Sequence, residues 1–130
     1  MSSAHRQKQA WVGAFVVAST MLGVATYAIA ADAKYRRLSA VGIRTTIIGK
    51  VVTDDAHWAD RFMPDGTVDS HELGNSRPGS WAIERGELCI TRKAKHPVKE
   101  CFEIWVKSDE VEYRRDGVSV ISGKIRDPAP

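Results

Sequence analysis

The stretch KECFEIWVK (99–107) sets Phe102, Ile104 and Val106 on one parity and Cys101, Glu103 and Trp105 on the other. Successive side chains of a strand point to opposite faces, so a period of two predicts a half-buried strand rather than a helix. The same period recurs along the chain. SWAIERGELCIT (80–91) carries Trp81 and Ile83, then Glu84-Arg85-Gly86-Glu87, then Leu88 and Ile90, which predicts a hairpin with one apolar face. RFMPDGTV (61–68) turns at Pro64-Asp65-Gly66, where Pro fixes φ at the first corner and Gly tolerates a positive φ. Ser108-Asp109 leads into EVEYRR (110–115), and Asp116-Gly117 into VSVISGKI (118–125).

Two stretches need a choice. IRTTIIGKVV (43–52) is β-branched, with Ile43, Ile47 and Val51 on one parity, and is predicted as a strand. DDAHWADRF (54–62) admits one helical turn capped by Asp54 or Asp55, with Trp58 meeting Phe62, but a strand from Trp58 is preferred. Short strands with polar turns between them predict an all-β domain over 42–126, an antiparallel barrel or sandwich of about six to eight strands. Closure of such a sheet removes its adhesive edges. Residues 31–41 are expected to form a tether or short helix, and 127–130 a frayed end.

The first thirty residues stand apart. MSSAHRQKQ carries Arg6 and Lys8 and no acid, and residues 11–30 carry no charge and end on Ala28-Ile29-Ala30. A positive start, an apolar run and a small-x-small end form the secretory pattern, so 1–30 is expected to be a signal helix, cleaved at Ala31 or Lys34. The alternative is a retained inner-membrane anchor, because about 20 apolar residues span a bilayer. The whole chain has formal charge +3. Removing Arg6 and Lys8 from its 19 Lys and Arg leaves 17 against 16 acidic residues, a net +1. Charge so nearly balanced gives no reason to expect nucleic acid.

Export gives the two cysteines a meaning. Cys89 and Cys101 are the chain's whole complement, and a pair reaching an oxidising compartment is expected to form a disulfide. No C-x-x-C occurs, and neither cysteine precedes a helix that would lower its pKa, so a redox or catalytic role is not expected.

Candidate sites are few. Arg92, Lys93, Lys95 and Lys99 cluster in the loop that the disulfide would close, and Trp105 falls on the less apolar parity of the next strand. Together they are expected to hold a small anionic ligand or an acidic envelope partner, since clustered cations raise the local potential. Asp54, Asp55, His57 and Asp60 crowd one segment, with His71-Glu72 beyond the next turn, but these spacings match no metal motif. No G-x-S-x-G and no H-E-x-x-H occurs, and neither a cofactor motif nor a catalytic one is found. Trp58, Phe62, Trp81, Phe102 and Tyr113 are expected mainly in the core.

The run W-x-x-x-F-x-P-D-G-T (58–67), with G-x-W-x-I-x-x-G-x-L-C (79–89) and C-F-x-I-W (101–105), resembles short exported proteobacterial domains of lipocalin-like character. The resemblance spans residues 45–125 and implies a small barrel, with no activity attached. A looser similarity is to periplasmic inhibitors of metalloproteases, which are small barrels with one disulfide. The expected function is therefore an exported, non-catalytic binding or interaction module, periplasmic or secreted. A protease inhibitor using the 31–41 tether, or a membrane-anchored accessory subunit, is the alternative.

Overall fold

Residues 34–130 are described by the computed structural model of the chain. The expected signal helix 1–30 lies outside the described residues. The elements in order are β1 (Arg36–Arg37), α1 (Ala40–Thr46), β2 (Val51–Thr53), β3 (Trp58–Phe62), β4 (Thr67–Glu72), β5 (Asn75–Glu84), β6 (Glu87–Arg92), β7 (Lys99–Lys107), β8 (Glu110–Arg115) and β9 (Val118–Arg126).

From β2 to β9 every strand pairs antiparallel with the next in sequence, and β9 pairs back onto β2, closing an eight-stranded barrel. The predicted hairpins form as expected. Arg85-Gly86 and Asp116-Gly117 both place two successive residues at positive φ, the turn geometry whose twist matches paired strands. Phe102, Ile104 and Val106 are buried while Cys101, Glu103 and Trp105 are only half-buried. Cys89 and Cys101 face each other directly across β6 and β7 and are joined by a disulfide, with sulfurs 2.06 Å apart.

The strand predicted over 43–52 is a correction. Ala40–Thr46 is helical, and a strand begins only at Val51. Ile43, Ile47 and Val51 are four residues apart, a spacing that satisfies an even parity and one helical turn equally. Local chemistry decides it: Ser39 caps the helix by accepting the Gly42 amide at 3.2 Å. Ile43 and Ile47 then point together into the barrel, and both are fully buried. The tether expected at 31–41 is likewise held where it is described. Arg36 and Arg37 pair with Val106 and Trp105 on the side of β7 that β6 has vacated, and Leu38 is buried.

α1 closes one end of the barrel. The Gly49 amide donates to the Phe62 carbonyl at 2.8 Å, and Arg44 lies over the Trp81 ring. The opposite end, ringed by the loops 54–57, 73–74, 93–98 and 116–117, carries no such plug among the described residues.

Candidate functional site: the open mouth of the barrel

Along each strand the inward parity changes character towards the open end. β3 runs Phe62, Asp60, Trp58; β4 runs Val68, Ser70, Glu72; β6 runs Leu88, Ile90, Arg92; β7 runs Ile104, Phe102, Glu100. Apolar side chains fill the middle of the barrel, and a polar layer lies above them. Asp60 and Ser70 are register partners and are only 3% and 4% exposed.

Arg92 completes the layer. It donates to the Asp60 carboxylate from Nη2 at 3.0 Å and to Ser70 Oγ from Nε at 3.3 Å, and its Nη1 lies 3.7 Å from Glu100. Burying a carboxylate is costly unless it is paired and hydrogen-bonded, and Arg92 does both for Asp60. To reach β3 and β4 from β6, the guanidinium must cross β5. The β5 residue opposite Arg92 is Gly79, which offers no side chain to obstruct it. The backbones also approach closely here: a Cβ at Gly79 would collide with the Thr91 carbonyl oxygen.

Above the layer lies a cavity of about 440 Å³, in the size range of small-ligand sites. Its apolar lining is Trp58 of β3 and Ile121 of β9, with Ala94 and Val98 from the 93–98 loop. Its polar lining is Asp60, Ser70 and Arg92, with His71, Glu72, Arg77, His96 and Glu100. Trp58 is held by Gly123 of β9, where a Cβ would meet its ring at 3.0 Å. Tyr113 lies behind the layer, edge-on to Trp58 and tilted on Phe102. Its hydroxyl is buried and has no hydrogen-bond partner. Burial first, and then the charge of Asp60, push its pKa well above the usual tyrosine range, with Arg92 opposing.

The residues expected to form an anion site are not all brought together. Arg92 turns inward to Asp60, and Lys99 pairs with Glu84 at 2.7 Å. Lys93 and Lys95 are exposed on the 93–98 loop and make no salt bridge to a described residue. Trp105 does lie off the core face, but it is covered: the Arg114 guanidinium sits 4.4 Å from its ring centroid, and its Nε1 donates to Glu103 at 2.9 Å. It is also six residues along β7 from Lys99, roughly 20 Å at strand spacing, so it does not edge the loop.

The histidines are separately engaged, His57 with Asp54 at 2.8 Å and His71 with Asp69 at 3.0 Å. Among the described residues the one triad of metal-capable side chains is Glu84 with Cys89 and Cys101, and those sulfurs are joined to each other. Ser70, Arg77 and Ile121 are site residues that sequence reasoning missed, and Asp60 stands there only as one of an acidic cluster. The available signal was a polar residue on the parity of Phe62 and Val68. No known protein family, curated protein or solved structure matches this chain, so its functional reading rests on the geometry of the mouth.

Proposed function

We propose that the chain is an exported, non-catalytic binding module of the cell envelope that takes a small ligand in the mouth of its barrel. The observation that carries this reading is the cavity itself, where Trp58 and Ile121 line the mouth above the Asp60–Ser70–Arg92 layer. An apolar surface set against a few fixed polar groups is the usual construction of a small-molecule site. A closed barrel accords with a lipocalin-like character, and a disulfide accords with an oxidising compartment. The secretory pattern of 1–30 supplies the route. Ser70, the hydroxyl on the polar wall, is bonded to an arginine rather than to a base, which favours binding over nucleophilic chemistry. The inhibitor reading has less support, because Arg36–Arg37 are paired in β1 and Leu38 is buried, so that part of the segment is not free to enter a protease.

The test is expression with the native leader in a bacterium with a periplasm, followed by native mass spectrometry of the envelope fraction. The expected species begins at Ala31 or Lys34, has no free thiol and carries a small-molecule adduct that Val98→Glu removes. A species that keeps residues 11–30 would instead favour the anchored subunit. A cytosolic, reduced protein without adduct would overturn the reading.

A further inference from the structure

We propose that the ligand is an uncharged sugar, a compact ring bearing several hydroxyls, held in the mouth with one ring face on Trp58. This rests on the small-ligand reading above and specifies its chemistry.

Packing sets the depth. Below the polar layer Phe62, Ile90, Phe102, Ile104 and Tyr113 are all 3% exposed or less, so nothing passes them without unpacking the core. The ligand therefore lies on the Asp60–Ser70–Arg92 floor, beside the indole of Trp58. An indole offers a broad apolar face with one donor at its edge. Trp81 and Trp105 commit that donor to the Met63 carbonyl and to Glu103. Trp58 Nε1 donates to no described residue. The Tyr113 hydroxyl is the one buried side-chain polar atom without a partner among the described residues, so the Trp58 donor is open to solvent.

Charge favours neither sign. The lining carries three carboxylates, Asp60, Glu72 and Glu100, and each faces a guanidinium. Asp60 is bonded by Arg92 at 3.0 Å, and Glu72 stands 3.9 Å from Arg77. Glu100 lies between Arg92 at 3.7 Å and Arg115 at 3.6 Å. No charge is left over for an ion to neutralise. Hydrogen bonding is a separate matter. The last three separations exceed hydrogen-bond distance. The side chains of Glu72, Arg77 and Glu100, like those of Trp58 and His96, thus make no hydrogen bond to a described residue. From β3 to β7 the lining presents an open donor at Trp58, an acceptor at Glu72, a donor at Arg77 and an acceptor at Glu100, with His96 able to serve as either. A hydroxyl both donates and accepts, so it can serve every one of these groups. An ion suits one sign and opposes the other. Several hydroxyls on one ring match several such groups at once, while the C–H face of the ring covers the indole.

Titrations of the exported protein with glucose, N-acetylglucosamine and N,N′-diacetylchitobiose, and with glucosamine and glucuronate as charged counterparts, test this. At least one uncharged sugar is expected to bind with a Kd of about 1 mM or tighter, and the charged counterparts at least about tenfold more weakly. The bound sugar should shift the indole N–H resonance of Trp58. Glu72→Ala with Arg77→Ala, both exposed, should weaken the sugar at least about tenfold with no change in melting. N-phenyl-1-naphthylamine, uncharged and without hydroxyls, is the control: Val98→Glu should weaken it and the Glu72–Arg77 double variant should not. Dye binding weakened by Val98→Glu, with no uncharged sugar bound, would overturn the sugar and leave the cavity reading standing. So would a charged sugar that binds as tightly as its uncharged counterpart, or sugar binding indifferent to the double variant. Failure of sugars and dye alike, or binding indifferent to every one of these substitutions, would overturn both.

Discussion

Arg92 and Asp60 stand 32 residues apart in the chain and meet at 3.0 Å inside the barrel, where Asp60 is almost fully buried and Arg92 is partly open to the cavity. Breaking such a pair from one side leaves an uncompensated charge. Arg92→Leu is therefore expected to cost about 3 kcal/mol, near the lower end for a buried pair because water reaches the guanidinium. Replacing both residues, Asp60→Leu with Arg92→Leu, should cost less than the sum of the single changes. Urea unfolding of the four proteins gives the coupling directly. Additive effects would show that the two charges are independent. By contrast Lys93→Ser with Lys95→Ser should change stability by no more than about 0.5 kcal/mol, as for solvated surface positions.

Gly79 makes that crossing of β5 possible. Gly79→Ala would force a Cβ against the Thr91 carbonyl and separate β5 from β6 beside Arg92. The expected loss is about 1–3 kcal/mol, the usual range for overpacking. Amide exchange should rise at Gly79 and Lys93 ahead of the Leu88–Phe102 region. An alanine variant as stable as the parent would contradict the close approach.

Tyr113→Phe is expected to stabilise the protein, against the usual direction of core changes. The ring stays, and a buried hydroxyl without a partner is removed, a gain of about 1 kcal/mol. The pH dependence follows from the raised pKa. The stability due to the neutral phenol is complete below the unfolded-state value of about 10 and is lost as pH rises from there through the folded value. The phenylalanine variant should lose that part of the alkaline decline. A destabilised variant would show that the hydroxyl is hydrogen-bonded.

Reduction of Cys89–Cys101, or Cys89→Ser with Cys101→Ser, is expected to lower stability by about 3 kcal/mol. The strand pairing around it should persist, since the flanking register partners are Leu88 with Phe102 and Ile90 with Glu100. Melting with and without reductant measures the loss, and unchanged far-ultraviolet circular dichroism checks the fold.

Acid should destabilise the protein, beginning near pH 4. Asp54 is held far below the usual carboxylate range by the amides of Trp58 and His57. Asp55, Asp65 and Asp127 are lowered by bonds from Arg126, Thr67 and Lys50 respectively. A depressed folded value means the contribution is complete above the unfolded value of about 4 and is lost as pH falls through the folded one. Asp54→Ala should lower the melting temperature at neutral pH and flatten its fall below pH 4. An unaltered acid profile would mean that the 54–57 loop is not organised by that carboxylate.

Turns and alternation were legible in the sequence because their causes are local. Arg85-Gly86, Asp116-Gly117 and Pro64-Asp65-Gly66 each announce a reversal, and Phe102, Ile104 and Val106 announce a buried face. The helix at 40–46 was not, because four-residue spacing serves two geometries and the deciding Ser39 cap lies outside the β-branched run. Asp60 and Ser70 were hidden for another reason. A polar residue beside turns reads as solvated until its register is known, and the partner that makes burial tolerable comes from β6. Trp105 was legible in parity only, since Arg114, which covers it, arrives with the neighbouring strand.

Seven of the eight ladders in the ring join strands adjacent in sequence; the eighth joins β2 to β9 through three register pairs, Val51–Arg126, Val52–Ile125 and Thr53–Lys124. Local hairpins form early and long loops close late, so this seam is expected to be the last part of the ring to assemble. Until it shuts, the molecule is an open sheet with two unsatisfied edges that another chain can extend, which makes self-association during synthesis the principal hazard of this topology. The disulfide lies at β6–β7, away from the seam, and gives no protection there. That task falls to the charges flanking it, Lys50 with Asp127 and Arg126 with Asp55 and Asp109, which favour the proper partner edge over a foreign one.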